Sequence, residues 1–176
     1  GMIDIDTFLF FFTSDIAALV RDNGPKVCVF PINGTRRWFL LEYPDLAREN
    51  YIQSYLDINA KRHLELYRLF FDHGIETLLT PVFGPDLLER NETYNELLKK
   101  GLVIFAEDRG LLAFYEAYDV RVRVYGDADR YLNNTIYADA LDTYKCLTQQ
   151  TRHHDRHRLF FGVCAHDAAE TIARIG

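Results

Sequence analysis

The residues best suited to chemistry stand at 33–38, reading Asn-Gly-Thr-Arg-Arg-Trp. Gly34 lets the backbone bend and approach a ligand closely, and successive amides in such a turn form an anion-binding concavity. Arg36 and Arg37 add two fixed, fork-shaped cations. Together these suit a phosphate or diphosphate. The turn is neither a Walker A loop nor a dinucleotide fingerprint, because Gly-x-x-x-x-Gly-Lys and Gly-x-Gly-x-x-Gly are both missing. The plain alternative is a strand-to-helix turn whose arginines face solvent.

Other polar groups have simpler readings. His153-His154-x-x-His157 resembles a ligand cluster, yet it lies in a charged turn, and such turns are usually solvated. Asp139 and Asp142 lie three apart on an expected helix, and Asp127 and Asp129 follow a strand. Either pair could share a cation, but a solvated helix face or turn cap explains them as well. Asp86, His166 and Asp167 suit helix capping, and His166 and Asp167 could also serve as site residues. No nucleophile elbow or Cys–His pair is readable.

These groups need elements to position them. Uneven apolar recurrence predicts a helix over residues 3–22, stopped by Asn23-Gly24-Pro25. Residues 26–31 form a short apolar run, which suits a strand buried on both faces. A long helix is expected from Pro44-Asp45 to His73-Gly74, with Leu56, Leu64, Tyr67, Phe70 and Phe71 at helical spacing. A strand over 75–82 follows, then helix over about 91–118 with a possible break at 107–110. A strand at 120–125, a helix at 134–150, a strand at 158–164 and a helix at 168–175 complete the pattern. Alternating strands and helices imply an α/β protein, a parallel sheet with helices on both faces. Ligand sites in such sheets lie beyond the carboxyl ends of the strands. The turns at 33–38, 83–90, 126–129 and 165–167 should therefore meet on one rim.

Composition narrows the field. With 176 residues and no linker or repeat, the chain reads as a single domain over 1–176. Its net charge of −6 and pI near 5.5 leave no basic field for nucleic acid, so an anion site must be local. Aromatic residues make up 14%, enough to fill the core or to line a large apolar pocket. Cys28, Cys146 and Cys164 suit free thiols, Cys28 and Cys164 buried, in a reducing, cytoplasmic setting. The apolar run at 8–12 is flanked by Asp4, Asp6 and Asp15 and is too short to span a bilayer, which needs about 20 residues.

The order of these motifs resembles the cis-prenyltransferase family, the undecaprenyl diphosphate synthases and their relatives. Val120-Arg-Val-Arg-Val-Tyr-Gly-Asp127 is the closest match. His73-Gly74-Ile75, followed by Leu78, Leu79 and Phe83, resembles the family's second strand and pocket turn. The family's first turn, Met-Asp-Gly-Asn-Gly-Arg-Trp, stands against Ile32-Asn33-Gly34-Thr35-Arg36-Arg37-Trp38 here. The resemblance runs from about Val27 to Ile175. It implies a prenyl-diphosphate-binding enzyme, a divergent transferase or a terpene-synthase-like relative that ionises an allylic diphosphate. Arg36, Arg37 and Arg90 would bind the diphosphate with Gly34, Asn33 and Thr35 would take the catalytic positions that orient it, and Phe83 would line the tail pocket.

The departures from the family pattern carry implications of their own. Asn33 replaces the aspartate that helps hold Mg²⁺, Thr35 replaces the next asparagine, and Gly84 replaces a Ser or Thr. The family's helix histidine has no counterpart in place, His63 lying well beyond it. Mg²⁺ is thus expected as a weakened cofactor, because it prefers carboxylate and phosphate oxygens, and no metal ligand can be assigned. A chain ending at Gly176 would lack the family's C-terminal third, including a second-substrate segment, a metal-binding glutamate and much of the dimer surface. The alternative implied is a non-catalytic or truncated partner subunit of the same fold. A homo- or heterodimer, and peripheral membrane contact through a lipid substrate, are the remaining expectations.

Overall fold

The computed structural model describes residues 12–24, 26–30, 35–45, 51–83, 89 and 91–164, with the backbone alone described at 35–38 and 83. In chain order the elements are α1 (Thr13–Asn23), β1 (Val27–Val29), α2 (Thr35–Glu42), α3 (Tyr51–Asp72), β2 (Thr77–Phe83), α4 (Glu92–Glu107), α5 (Arg109–Ala117), β3 (Val120–Tyr125), α6 (Ala128–Leu132), α7 (Ala138–Gln150) and β4 (His157–Val163). The helix expected at 168–175 and the first residues of the one expected at 3–22 lie outside the described residues.

The four strands form one parallel sheet in the order β1-β2-β4-β3. The expected parallel α/β architecture is therefore present. β4 lies between β2 and β3, pairing Leu159 with Leu78 on one side and with Val122 on the other. Alternation along the strands sends Leu78, Val122, Leu159 and Phe161 to one face, where they meet Tyr67, Phe71, Phe105, Phe114 and Tyr144 from the helices. Leu79, Phe160 and Tyr125 make a smaller buried cluster on the opposite face.

β1 departs from the expectation of burial on both faces. It lies at one end of the strand order, and Val27 and Val29 are 44% and 43% exposed. Cys28 points the other way and is only half-buried, while Cys164 is buried.

Local chemistry explains the boundaries. Asn91 caps α4 by accepting from the Tyr94 amide at 2.8 Å. Asp108 leaves helical geometry at ψ 125° and accepts from the Leu111 amide at 2.9 Å, which splits α4 from α5. Such a cap contributes about 0.5–2 kcal/mol. Asn134 adopts φ 63°, which delays the start of α7 to Ala138.

Many of the aromatic residues pack into the core. Phe71 stacks on Phe114 at 6.1 Å, and Tyr144 meets Phe161 edge-on at 5.3 Å. Their polar tips reach backbone: Tyr115 donates to the Phe105 carbonyl and Tyr144 to that of Leu102, at 2.8 and 2.7 Å. His63 is buried against Phe105, its Nδ1 donating to the Asn59 carbonyl at 2.8 Å.

Two predictions follow from this packing. Gly74 ends α3 at φ 96°, and an added Cβ would stand 2.7 Å from the Ala17 carbonyl oxygen. Gly74→Ala should therefore destabilise the chain by about 1–3 kcal/mol, read as a lower urea midpoint; an unchanged midpoint would refute the strain. Burial holds His63 and His157 below the ordinary histidine value of 6.5. The unfolded chain then binds protons that the folded chain refuses, so stability is full above about pH 6.5 and falls as the pH drops below it. The urea midpoint should decline between pH 7.5 and 5.5, and less steeply in His63→Phe; a flat profile in the native chain contradicts the assignment.

Candidate functional site

The carboxyl ends of the strands all lie at one edge of the sheet, because the strands are parallel. The segments that leave them are 30–34 after β1, 84–91 after β2, 126–127 after β3 and 164 onward after β4. β1, β2 and β4 are consecutive neighbours, so the ends of these three strands are adjacent.

Most of the sequence-predicted site falls on the parts not described. Asn33, Gly34 and Arg90 lie outside the described residues. Thr35, Arg36 and Arg37 have a described backbone, and Phe83 closes β2. One correction concerns the turn itself. Residues 35–38 are not loop but the first residues of α2, so the arginines stand at a helix start. Backbone amides at a helix start lack intrahelical partners and favour anions.

The described part of the rim contains Tyr125, Gly126, Asp127 and Cys164. Gly126 and Cys164 both take left-handed backbone, at φ 99° and 52°, and so turn the chain sharply out of β3 and β4. Tyr125 lies across its neighbour Gly162, where an added Cβ would stand 2.5 Å from the phenol oxygen. That hydroxyl is buried without a hydrogen-bond partner among the described residues, and burial raises its pKa. Tyr125 is thus a polar group at the rim that sequence reasoning took only as part of a strand. Its signal was the glycine one strand away, which only the register reveals.

The aspartates are less available. Asp129 accepts from Lys145 Nζ at 2.8 Å, and Asp139 lies 3.9 Å from Lys99 Nζ. Both are exposed ion pairs of small energetic weight. Asp86, His166 and Asp167 lie outside the described residues.

A second cationic group was also missed. Arg121, Arg123 and Arg158 project from the sheet face that holds Phe160, with Arg121 and Arg158 paired in register. Arg123 lies 5.9 Å over the Phe160 ring, and desolvation followed by repulsion from Arg121 and Arg158 lowers its pKa. The signal was the Val-Arg-Val-Arg-Val alternation, which places the arginines on one face.

A small cavity lies beneath the helical layer. An apolar cavity between α4, α7 and the ends of β3 and β4, lined in part by Leu102, Val124, Tyr144 and Val163, has a volume of about 10 Å³. That is about one water, far below the roughly 300 Å³ of a small-molecule site. No described helix is long and apolar enough to cross a membrane.

Comparison with known proteins extends this picture. No family model matches the chain. It is 39% identical over 160 residues to tuberculosinyl adenosine transferase of Mycobacterium tuberculosis, covering 90% of this chain and 52% of that protein. It is 28% identical over 146 residues to (+)-kolavelool synthase of Herpetosiphon aurantiacus, covering 82% and 46%. The chain therefore spans about half the length of the curated relatives it matches. Among solved structures, lavandulyl diphosphate synthase from Lavandula x intermedia, in complex with dimethylallyl diphosphate, superposes with a TM-score of 0.60 at 16% identity. That match covers 91% of this chain and 63% of the other, and it shows the fold. The ordered motifs, the parallel sheet and these relatives together support a cis-prenyltransferase-like family for the chain.

Proposed function

We propose that the chain binds a prenyl diphosphate and belongs to an enzyme that ionises an allylic diphosphate, as a divergent transferase or terpene-synthase-like enzyme. The observation that carries this reading is the 39% identity over 160 residues to a protein named for tuberculosinyl transfer. The kolavelool synthase likeness, and a shared fold with a synthase holding dimethylallyl diphosphate, support the same substrate class.

In this reading the start of α2 and the exit of β2 hold the leaving group. Arg36, Arg37 and Arg90 grip the diphosphate, and the backbone at Gly34 approaches it closely. Asn33 and Thr35 orient it by hydrogen bonding, and Phe83 lines the start of the tail pocket. Ionisation breaks the bond between the allylic carbon and the bridging oxygen, and the electron pair leaves with the diphosphate. Cations and donors placed at those oxygens stabilise the developing charge. The carbocation is then quenched by an acceptor or by loss of a proton.

Prenyl-diphosphate enzymes of this kind generally use Mg²⁺. Asn33 offers a neutral amide oxygen where the family pattern has a carboxylate, and Mg²⁺ is usually held through one or two carboxylates plus substrate phosphates. This donor set fits a protein-held Mg²⁺ poorly, so the arginines take the larger share of charge neutralisation. The free thiols of Cys28 and Cys146 suit a cytoplasmic protein, and a homo- or heterodimer completes the proposal.

Farnesyl or geranylgeranyl diphosphate should bind saturably by calorimetry, and Arg37→Ala should weaken that binding by roughly 10-fold or more. No binding at millimolar ligand would remove the idea. Asn33 also favours a second reading, a non-catalytic partner subunit of the same fold. Release of diphosphate from an allylic substrate by the isolated chain supports the enzyme; binding without release supports the partner subunit.

A further inference from the structure

The loop between α7 and β4 holds a second constellation, at the opposite end of the strands from the rim. His154 lies in this loop yet is 2% exposed, against the expectation of a solvated turn. Its Nδ1 stands 2.8 Å from the Val120 carbonyl oxygen. A carbonyl only accepts, so Nδ1 carries the hydrogen and Nε2 faces the other way. There it meets Glu116 Oε2 at 3.3 Å and Asp119 Oδ1 at 4.0 Å. A ring nitrogen directed at two carboxylates needs a positive centre there, either a proton on Nε2 or a metal ion bound to it.

His153 completes the group. Its ring lies edge-on to His154 at 4.3 Å, and Glu116, His153 and His154 each bring one ligand atom within 4.8 Å of the others. Asp119 is preorganised. Its Oδ2 accepts from the amides of Asp155 and Arg156 at 3.2 and 3.1 Å, which leaves Oδ1 facing the imidazole. His157, the third histidine of the sequence run, turns away: its Nδ1 donates to the Tyr118 carbonyl at 2.7 Å and its ring stacks on Phe71.

We propose that Glu116, His153 and His154 bind a divalent transition-metal ion of the Zn²⁺ class, with Asp119 Oδ1 nearest the fourth position. Two imidazoles with carboxylate oxygen suit Zn²⁺ or Co²⁺ and not Mg²⁺ or Ca²⁺, which take oxygen donors. The Val120 carbonyl supplies the outer hydrogen bond that fixes a ligating histidine's tautomer. Tetrahedral ligands at about 2.0–2.1 Å from Zn²⁺ stand about 3.3 Å apart. Glu116 and His154 already meet that separation, and the exposed His153 side chain can close the rest. The ion would tie the end of α5, the start of β3 and the loop before β4 into one unit, so its role is structural.

The test uses the tag-free chain at pH 7.5 with Co²⁺ alone, read by visible absorption. A saturable one-to-one band, displaced by Zn²⁺, is expected. Glu116→Gln and His153→Ala, both at exposed positions, should each weaken it by about 10-fold or more, while Asp129→Asn leaves it unchanged. Zn²⁺ should also raise the melting temperature of the native chain and not of His153→Ala, with circular dichroism confirming that both variants fold. No saturable band overturns the site, since a proton then fills the gap at His154. A band that survives both substitutions overturns it equally.

Discussion

β4 is hydrogen-bonded along both edges, to β2 on one side and β3 on the other, although it is the last strand among the described residues. Its side chains must satisfy two neighbours and two faces at once, so its residues from Leu159 to Val163 are buried throughout. A continuous apolar strand of this kind is what a parallel sheet requires at its centre. Because β2, β3 and β4 all run the same way, every connection leaves at one rim and returns at the other. At the entries this brings together Asp119, His153 and His154.

The helical side is closed by aromatic rings rather than by aliphatic chains alone. Rings of this size bury much area each, and their hydroxyls need partners in a dry interior. Tyr115 and Tyr144 find helix carbonyls, and Tyr137 reaches Asn95 at 2.9 Å. Thr80 and Thr151 stitch the strands in the same manner, through the Phe160 carbonyl and the Val122 amide. Tyr67 and Tyr125 do not find partners among the described residues. Tyr67 is enclosed in the core, whereas Tyr125 stands where β3 leaves the sheet, next to the proposed ligand rim. The same residue type therefore has different meanings at the two positions.

Charge is organised by the sheet as well. A chain of net charge −6 places Arg121, Arg123 and Arg158 on one face. Local cationic patches in an acidic chain can hold anions without drawing in nucleic acid generally. Asn33 is neutral where the family pattern has an aspartate.

Much of the fold was legible in the sequence because its signals are local. The Val-Arg alternation marked β3 at the residues where it stands, and Gly74 marked the end of α3 because its left-handed backbone suits glycine. The break between α4 and α5 was readable from Asp108, whose cap needs a residue only three positions away. The ordered motifs likewise pointed to the family, since strand, turn and helix spacing survive in one dimension. The insertion of β4 between β2 and β3 could not be read, because neighbour choice depends on contacts about 80 residues apart, such as that of Thr80 with Phe160. Nor could the exposure of β1, which follows from its place at the end of the strand order. His154 looked like a solvated loop residue until the Val120 carbonyl, 34 positions earlier, captured its Nδ1 and Glu116 replaced His157 beside it. Sequence determined the periods, the caps and the kinship; tertiary structure decided which distant groups share a space, because that depends on packing and not on spacing.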